Sequence, residues 1–209
     1  ELGGLETGAD RSIDDVPFAE ITRLLCAAYG RGAVNTVSWH PQNPESGASA
    51  WDGKTSTAVS SILPGGANHA QFRLWLDRLA GFFVGLKSAD GTCVPVLFRP
   101  FHEHTGSGFW WGEAQCTPDE YKALWRFTVE YLRDVKGVHN LLYVYSPDLY
   151  RDAEHYTERY PGDEWVDVLG LDAYHRPQDW DFLSGGERML STLQRLGHEH
   201  GKPTAFTET

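Results

Sequence analysis

Short apolar runs and longer stretches with helical spacing follow one another along the chain. Apolar runs predict strands over residues 33–38, 94–98, 140–145, 166–171 and 204–207. Helical spacing predicts helices over 13–28, 69–86, 117–135 and 184–200. The third of these opens with Thr117, Pro118 and Glu120, which is the pattern of a capping box with proline at the first helical position. We interpret the aromatic stripe of helix 69–86 as core rather than as a binding surface.

This order of elements predicts a parallel sheet. Strand, polar loop, helix and strand repeat without hairpin signals, so right-handed crossovers are expected. A doubly wound sheet and a (β/α)8 barrel both remain compatible with that pattern. Titratable or aromatic residues follow every strand and no glycine-rich dinucleotide loop does, which favours the TIM barrel. Five strands are predicted, so three of the eight are expected to be missing.

Composition narrows the class of protein. With 209 residues and 41% hydrophobic residues, we expect one domain with a sizeable core. A net charge of −11 without any Lys or Arg cluster argues against a nucleic-acid partner. No run approaches the roughly 18 apolar residues of a membrane span, and the first residues lack the features of a signal segment. Three cysteines show no metal spacing, and a Cys93–Cys116 disulfide is predicted because these two flank the central strand and its motif.

The candidate chemistry follows the strand at 94–98. Arg99, His102, Glu103 and His104 stand together there, ahead of an aromatic cluster, and Glu208 ends the last predicted strand. A barrel would bring the two glutamates to one face, and a carboxylate pair is the minimum for cleaving a glycosidic bond. A single glutamate at a strand end is more often a solvated or capping residue.

A metal site is the alternative interpretation of the two histidines. The run is HEHTG rather than HExxH, and no second motif supplies further ligands. We therefore predict neither a metal nor a cofactor. Eight Trp and nine Tyr are a heavy aromatic load, which either packs the core or provides stacking surfaces for sugar rings.

Longer motifs resemble a known family. The stretch RPFHEHTGSGFWWG, together with SWH, ILPGG, NLLYVYSPD, YPGDEWVDVLGLDAY and the final TET, is similar to glycoside hydrolase family 26, the endo-β-mannanases and their relatives. The resemblance runs over nearly the whole chain. It implies a retaining (β/α)8 hydrolase with Glu103 as acid/base after strand 4 and Glu208 as nucleophile after strand 7. Residues 1–209 would then be a partial catalytic domain that lacks strand 1, most of strand 2 and strand 8.

The resemblance also implies roles for neighbouring side chains. Arg99 and Tyr174 would orient the nucleophile Glu208 and keep it ionised, whereas the pKa of Glu103 should be raised. Hydrogen bonds to sugar hydroxyls would come from His40 and His102.

Walls for stacked sugar rings would come from Trp51, Trp110 and Trp111. Gly108 stands where relatives carry a tryptophan, and this substitution removes a large aromatic side chain from beside the acid.

The implied substrate is β-mannan polysaccharide or its oligosaccharides, cleaved by a monomeric enzyme that is secreted, periplasmic or at the cell surface. A β-1,3-1,4-glucanase or β-1,3-xylanase of the same family, a non-catalytic carbohydrate-binding fragment and a metal-dependent hydrolase are the alternatives. Because a chain without the missing strands would expose two sheet edges, we expect these 209 residues alone to be poorly soluble or inactive.

Overall fold

The computed structural model describes residues 1–175 and 182–209. Its centre is one sheet of five parallel strands in sequential order, which confirms the predicted number and direction of strands. Within the described residues, β1 and β5 each pair with one strand only, so the sheet is open at both edges. The strands are β1 Asn35–Trp39, β2 Val96–Pro100, β3 Leu141–Tyr145, β4 Val168–Asp172 and β5 Thr204–Glu208.

Six α-helices are found among the described residues. They are α1 Phe18–Tyr29, α2 Ala58–Ile62, α3 His69–Gly85, α4 Pro118–Glu130, α5 Ala153–Thr157 and α6 Phe182–His200. A 3-10 turn at Leu5–Thr7 precedes them, and a π-helical turn at Tyr131–Val135 extends α4. The short helices α2 and α5 were not predicted. Helix α1 begins five residues later than predicted, because residues 11–17 form a turn closed by the hydrogen bond from the Ser12 amide to the Val16 carbonyl.

Helix α3 buries the aromatic stripe that its spacing predicted. Phe72, Trp75 and Phe83 are at most 2% exposed, and the ring of Phe83 meets that of Phe98 on β2 at 5.0 Å between centroids. Burial of side chains this large supplies much of the free energy that holds a helix against a sheet. The interpretation of this stripe as core is confirmed.

Helix α4 begins as its capping box predicted. The Thr117 hydroxyl accepts a hydrogen bond from the Glu120 amide, and the Glu120 carboxylate accepts one from the Thr117 amide at 2.8 Å. These bonds satisfy amides that have no partner within the helix. The two bonds fix the first turn of α4, which directly follows the loop after β2.

The predicted disulfide is wrong. Cys93 is exposed just before β2 begins and Cys116 is buried in the loop beyond its other end, and both thiols are free. Strand β2 thus separates the two sulfurs. The Arg159 guanidinium donates to Cys116 Sγ at 3.3 Å instead.

Among residues 1–175 and 182–209, no helix combines the length and the apolar character that spanning a membrane requires.

Candidate active site

The side chain of Arg99 joins the carboxyl ends of four neighbouring strands. It projects from β2 and is 4% exposed. Its Nε donates to Ser146 Oγ after β3 at 3.1 Å, and its Nη1 donates to Glu208 Oε2 on β5 at 2.9 Å. Its Nη2 donates to Asp172 Oδ2 at the end of β4. A planar guanidinium with a fixed fork of donors is suited to hold two carboxylates at once.

Glu208 is the more accessible of these two carboxylates, with 31% of its side chain exposed. Tyr174 Oη donates to one oxygen, while Arg99 donates to the other. Burial raises the pKa of Glu208, but these two hydrogen bonds and the charge of Arg99 outweigh it, so the pKa lies below its ordinary value. The structure therefore brings Arg99 and Tyr174 to Glu208, where both hydrogen bonds favour the ionised form of the carboxylate.

Asp172 lies beneath Arg99 with its side chain completely buried. The Thr207 hydroxyl donates to Asp172 Oδ1 at 2.6 Å. Burial raises the pKa of Asp172 to about 6, while Arg99 and Thr207 act in the opposite direction. Asp172 was not predicted as a site residue, although its position at the end of a strand was a usable signal.

Glu103 is placed by an unusual backbone. Phe101 and Glu103 both have left-handed backbone angles, with φ of 50° and 53°. Residues other than glycine adopt these backbone angles at an energetic cost, which is tolerated where a function needs a sharp turn. The Glu103 amide donates to the Ser146 carbonyl at 2.8 Å, and the Tyr121 hydroxyl donates to the Phe101 carbonyl at 2.8 Å. These bonds hold the turn at the carboxyl end of β2.

Burial raises the pKa of Glu103 to about 7. The negative charges of Asp172, Asp148 and Glu208 act in the same direction. The charge of Arg99 acts against them. One site thus contains a carboxyl group that keeps its proton up to about pH 7 and another whose pKa is lowered, which suits a proton donor and a nucleophile.

The structure contradicts the prediction that Trp110 and Trp111 form walls on which sugar rings stack. Both are completely buried, and their indole N–H groups donate to the carbonyls of Pro41 at 2.9 Å and His102 at 2.8 Å. No face of either ring is available to a ligand, so the prediction that they stack on sugars is wrong. They pack inside the loop that follows β2. Trp51, in contrast, is 54% exposed, so its ring is accessible to a ligand.

His40 and Trp51 form the accessible flank of the site. Their rings stack at 5.2 Å between centroids, and His40 Nδ1 lies 2.5 Å from Glu1 Oε2. His102 packs its ring against the edge of His40 at 4.6 Å and is 1% exposed. Burial holds the pKa of His102 well below its usual range, with the charge of Arg99 adding to the effect. His102 is therefore a neutral and almost completely buried ring.

His104 does not join this group. It is completely buried between the rings of Tyr121 and Tyr145, at 4.4 and 4.6 Å between centroids, and neither ring nitrogen has a hydrogen-bond partner among the described residues. In the part of the chain that the structure describes, no three His, Cys, Asp or Glu side chains are grouped to hold a metal ion. Gly108 lies exposed, and a Cβ atom added there would meet no atom within 4 Å.

Comparison with known proteins gives a consistent set of relatives. Residues 13–185 match the model for glycosyl hydrolase family 26. A mannan endo-1,4-beta-mannosidase of Bifidobacterium adolescentis is 39% identical over 208 residues, covering 97% of this chain and 20% of that protein. A mannan endo-1,4-beta-mannosidase of Bacillus subtilis strain 168 is 31% identical over 214 residues, covering 99% of this chain and 54% of that protein.

Solved structures agree with these sequences. A family 26 beta-mannanase from Bacteroides ovatus superposes with a TM-score of 0.93 at 43% identity, covering 98% of this chain and 59% of that one. A modular endo-beta-1,4-mannanase from Cellulomonas fimi gives 0.84 at 42% identity, covering 90% and 42%. This chain thus spans between a fifth and three fifths of these relatives' lengths. The likeness confirms the predicted fold, a part of a (β/α)8 barrel.

Proposed function

Because this chain belongs to glycosyl hydrolase family 26, we propose that it carries the catalytic centre of a retaining endo-β-1,4-mannanase. Its substrates would be mannan, glucomannan or galactomannan, and no cofactor takes part. Glu103 is the proposed acid/base and Glu208 the proposed nucleophile.

The observation that carries this proposal is the opposite shift of two pKa values at one sheet edge. The pKa of Glu103 is raised to about 7 and that of Glu208 is lowered. Glycoside cleavage with retention needs this division of labour, because one carboxylic acid must give a proton while the other carboxylate attacks. Arg99 and Tyr174 supply the hydrogen bonds that keep Glu208 ionised.

In the first step, Glu208 attacks the anomeric carbon while Glu103 protonates the departing glycosidic oxygen. The sugar becomes an ester of Glu208, and the leaving chain departs as an alcohol. That ester carries no negative charge, so one of the charges that raise the pKa of Glu103 disappears. Glu103 is then a better base, and in the second step it takes a proton from the water that attacks the anomeric carbon. The bond between that carbon and Glu208 breaks, and Glu208 is released as a carboxylate.

Trp51 and His40 are the proposed contacts with the sugar chain. The exposed face of Trp51 matches the apolar face of a pyranose ring, and stacking there would hold the polymer beside the two carboxyl groups. The proposed contact of His102 with a sugar hydroxyl is restricted by burial, since only 1% of this residue is exposed. At position 108 of the loop that follows the acid there is no side chain, and the space around this glycine is open.

The test compares Glu103→Ala and Glu208→Ala in the native polypeptide that contains this chain. Glu208→Ala should abolish hydrolysis of every substrate. Glu103→Ala should abolish hydrolysis of mannan but still release the leaving group of an activated aryl β-mannoside, which needs little proton donation. Glu187→Ala, on the exposed surface of α6, is the control and should keep wild-type rates. Full mannan hydrolysis by both site variants would refute the assignment.

Substrate choice is tested separately by reducing-sugar release. We expect activity on β-1,4-mannan and little on mixed-linkage β-glucan or β-1,3-xylan. Higher activity on either of the latter would replace the proposed substrate while leaving the proposed mechanism intact. Retardation in a mannan gel without any hydrolysis would support a non-catalytic binding role instead.

We also propose that the enzyme acts as a monomer. We further propose that it acts outside the cytoplasm, since a polysaccharide does not cross a membrane. Cell fractionation and light scattering of the native protein test these two points.

A further inference from the structure

We propose that Asp148 is a positioning residue for Glu103: it holds the turn that carries the acid and keeps a second negative charge beside it. This inference rests on the proposed function of Glu103. It concerns a residue that neither touches Arg99 nor belongs to the carboxylate pair itself.

The turn that follows Glu103 is anchored on Asp148. The Gly106 amide donates to the Glu103 carbonyl at 3.2 Å, which closes the turn. The Thr105 hydroxyl, within this turn, donates to Asp148 Oδ1. A Cβ atom on Gly106 would lie 2.6 Å from Asp148 Oδ2, so only glycine allows the backbone to approach the carboxylate this closely.

Asp148 is itself held in place by the sheet. It follows β3 after Ser146 and Pro147, and those two residues accept hydrogen bonds from the amides of Glu103 at 2.8 Å and Asp172 at 2.9 Å. The same short segment therefore anchors the backbones of the acid and of the buried aspartate. One oxygen of Asp148 accepts the hydrogen bond of Thr105 and the other lies against the backbone of Gly106, so Asp148 acts through the turn of Glu103 rather than on a ligand.

The charge of Asp148 matters because the carboxylate is largely enclosed. Burial raises the pKa of Asp148 to about 6, and the Thr105 hydroxyl, the Gly106 amide and His155 on α5 act against this. Asp148 is thus ionised at pH 7, where its charge opposes the ionisation of Glu103.

The other charged groups that act on Glu103 come from three further strands. They are Arg99 on β2, Asp172 on β4 and Glu208 on β5. Arg99 donates one hydrogen bond to Asp172 and one to Glu208, so these three side chains form a single group. Asp148 stands outside that group, so its charge can be removed without breaking the Arg99 contacts.

Three substitutions in the native polypeptide test the proposal. Asp148→Asn keeps the size and removes the charge, and Thr105→Val keeps the charge and removes the anchoring hydroxyl. Asp148→Glu keeps the charge but changes its reach. Asp77→Asn is the matched control, because Asp77 on α3 is a carboxylate hydrogen-bonded by Tyr131 far from the site.

We expect Asp148→Asn to move the alkaline limb of the pH profile of kcat/KM to lower pH, on the order of half a pH unit for one neighbouring charge. Thr105→Val and Asp148→Glu should lower kcat several-fold and leave the limb in place. Asp77→Asn should change neither quantity. An alkaline limb and a kcat that both stay at wild-type values in Asp148→Asn would overturn the proposal.

A titration that needs no substrate separates this inference from the proposed function. Carboxyl carbon-13 NMR of the wild type, Asp148→Asn and Asp77→Asn follows the ionisation of Glu103 directly. A lower pKa of Glu103 in Asp148→Asn alone supports the proposal even if the wild type hydrolyses no β-mannan, in which case the proposed function fails. An unchanged pKa of Glu103 refutes the electrostatic role whatever the activity is.

Discussion

Replacing Glu103 by glutamine should stabilise the folded protein at alkaline pH and have little effect at acidic pH. The reason is the raised pKa of Glu103, about 7 against an ordinary value of 4.5. Between these two pH values the folded state binds more protons at this position than the unfolded state does. The free energy of unfolding therefore falls as pH rises through this window, and the loss is complete above about pH 7.

The size of the effect follows from the shift. A rise from 4.5 to about 7 corresponds to about 3 kcal/mol, because one pKa unit is worth roughly 1.4 kcal/mol. Glu103 is only half-buried, so solvent screening reduces this figure, and we expect about 1 to 2 kcal/mol. Glutamine has nearly the same size and no charge, so the variant should recover this amount at pH 8 and almost none at pH 4.

Urea denaturation followed by tryptophan fluorescence measures the difference. The free energy of unfolding is determined for the wild type and Glu103→Gln at pH 4, 6 and 8, with Glu187→Gln on the exposed surface of α6 as the control. A stabilisation that grows with pH in Glu103→Gln alone is the expected result. Equal effects at all three pH values, or destabilisation at pH 8, would refute the electrostatic reasoning.

Three further predictions follow from the described contacts. Activity on β-mannan should fall as pH rises through about 7, where Glu103 loses its proton, and fall again below the lowered pKa of Glu208, as a pH–rate profile would record. Tyr174→Phe removes a hydrogen bond to the ionised Glu208 and should lower kcat on the order of 10-fold, measured by steady-state kinetics, whereas an unchanged kcat would dismiss this contact. Thr117→Ala removes the cap of α4 and should lower the free energy of unfolding by about 1 kcal/mol in urea denaturation, and no loss would mean that water replaces the cap.

Several features of this protein were determined by the sequence itself, because their physical causes lie within a few residues. The capping box at Thr117 is made by groups three residues apart, and the buried face of α3 is set by helical spacing. The five strands follow from apolar runs bounded by polar loops. The placement of Arg99 and Tyr174 beside Glu208 was expected from the resemblance of their motifs to glycoside hydrolase family 26.

Other features were decided only by the tertiary structure, because they depend on what packs around a residue. Trp110 and Trp111 look like stacking surfaces in the sequence, yet neighbouring elements cover both rings and bind their indole N–H groups. Cys93 and Cys116 flank one motif but lie beyond opposite ends of β2.

The electrostatic setting of Glu103 belongs to the same class. Asp148 and Asp172 come from β3 and β4, 45 and 69 residues further along the chain, and only the assembled sheet brings their charges to the acid. A glutamate in water is ionised at neutral pH, so nothing in the sequence near Glu103 explains a raised pKa. Burial and carboxylates distant in the sequence raise that pKa, because both the loss of water and the approach of like charge require the folded structure.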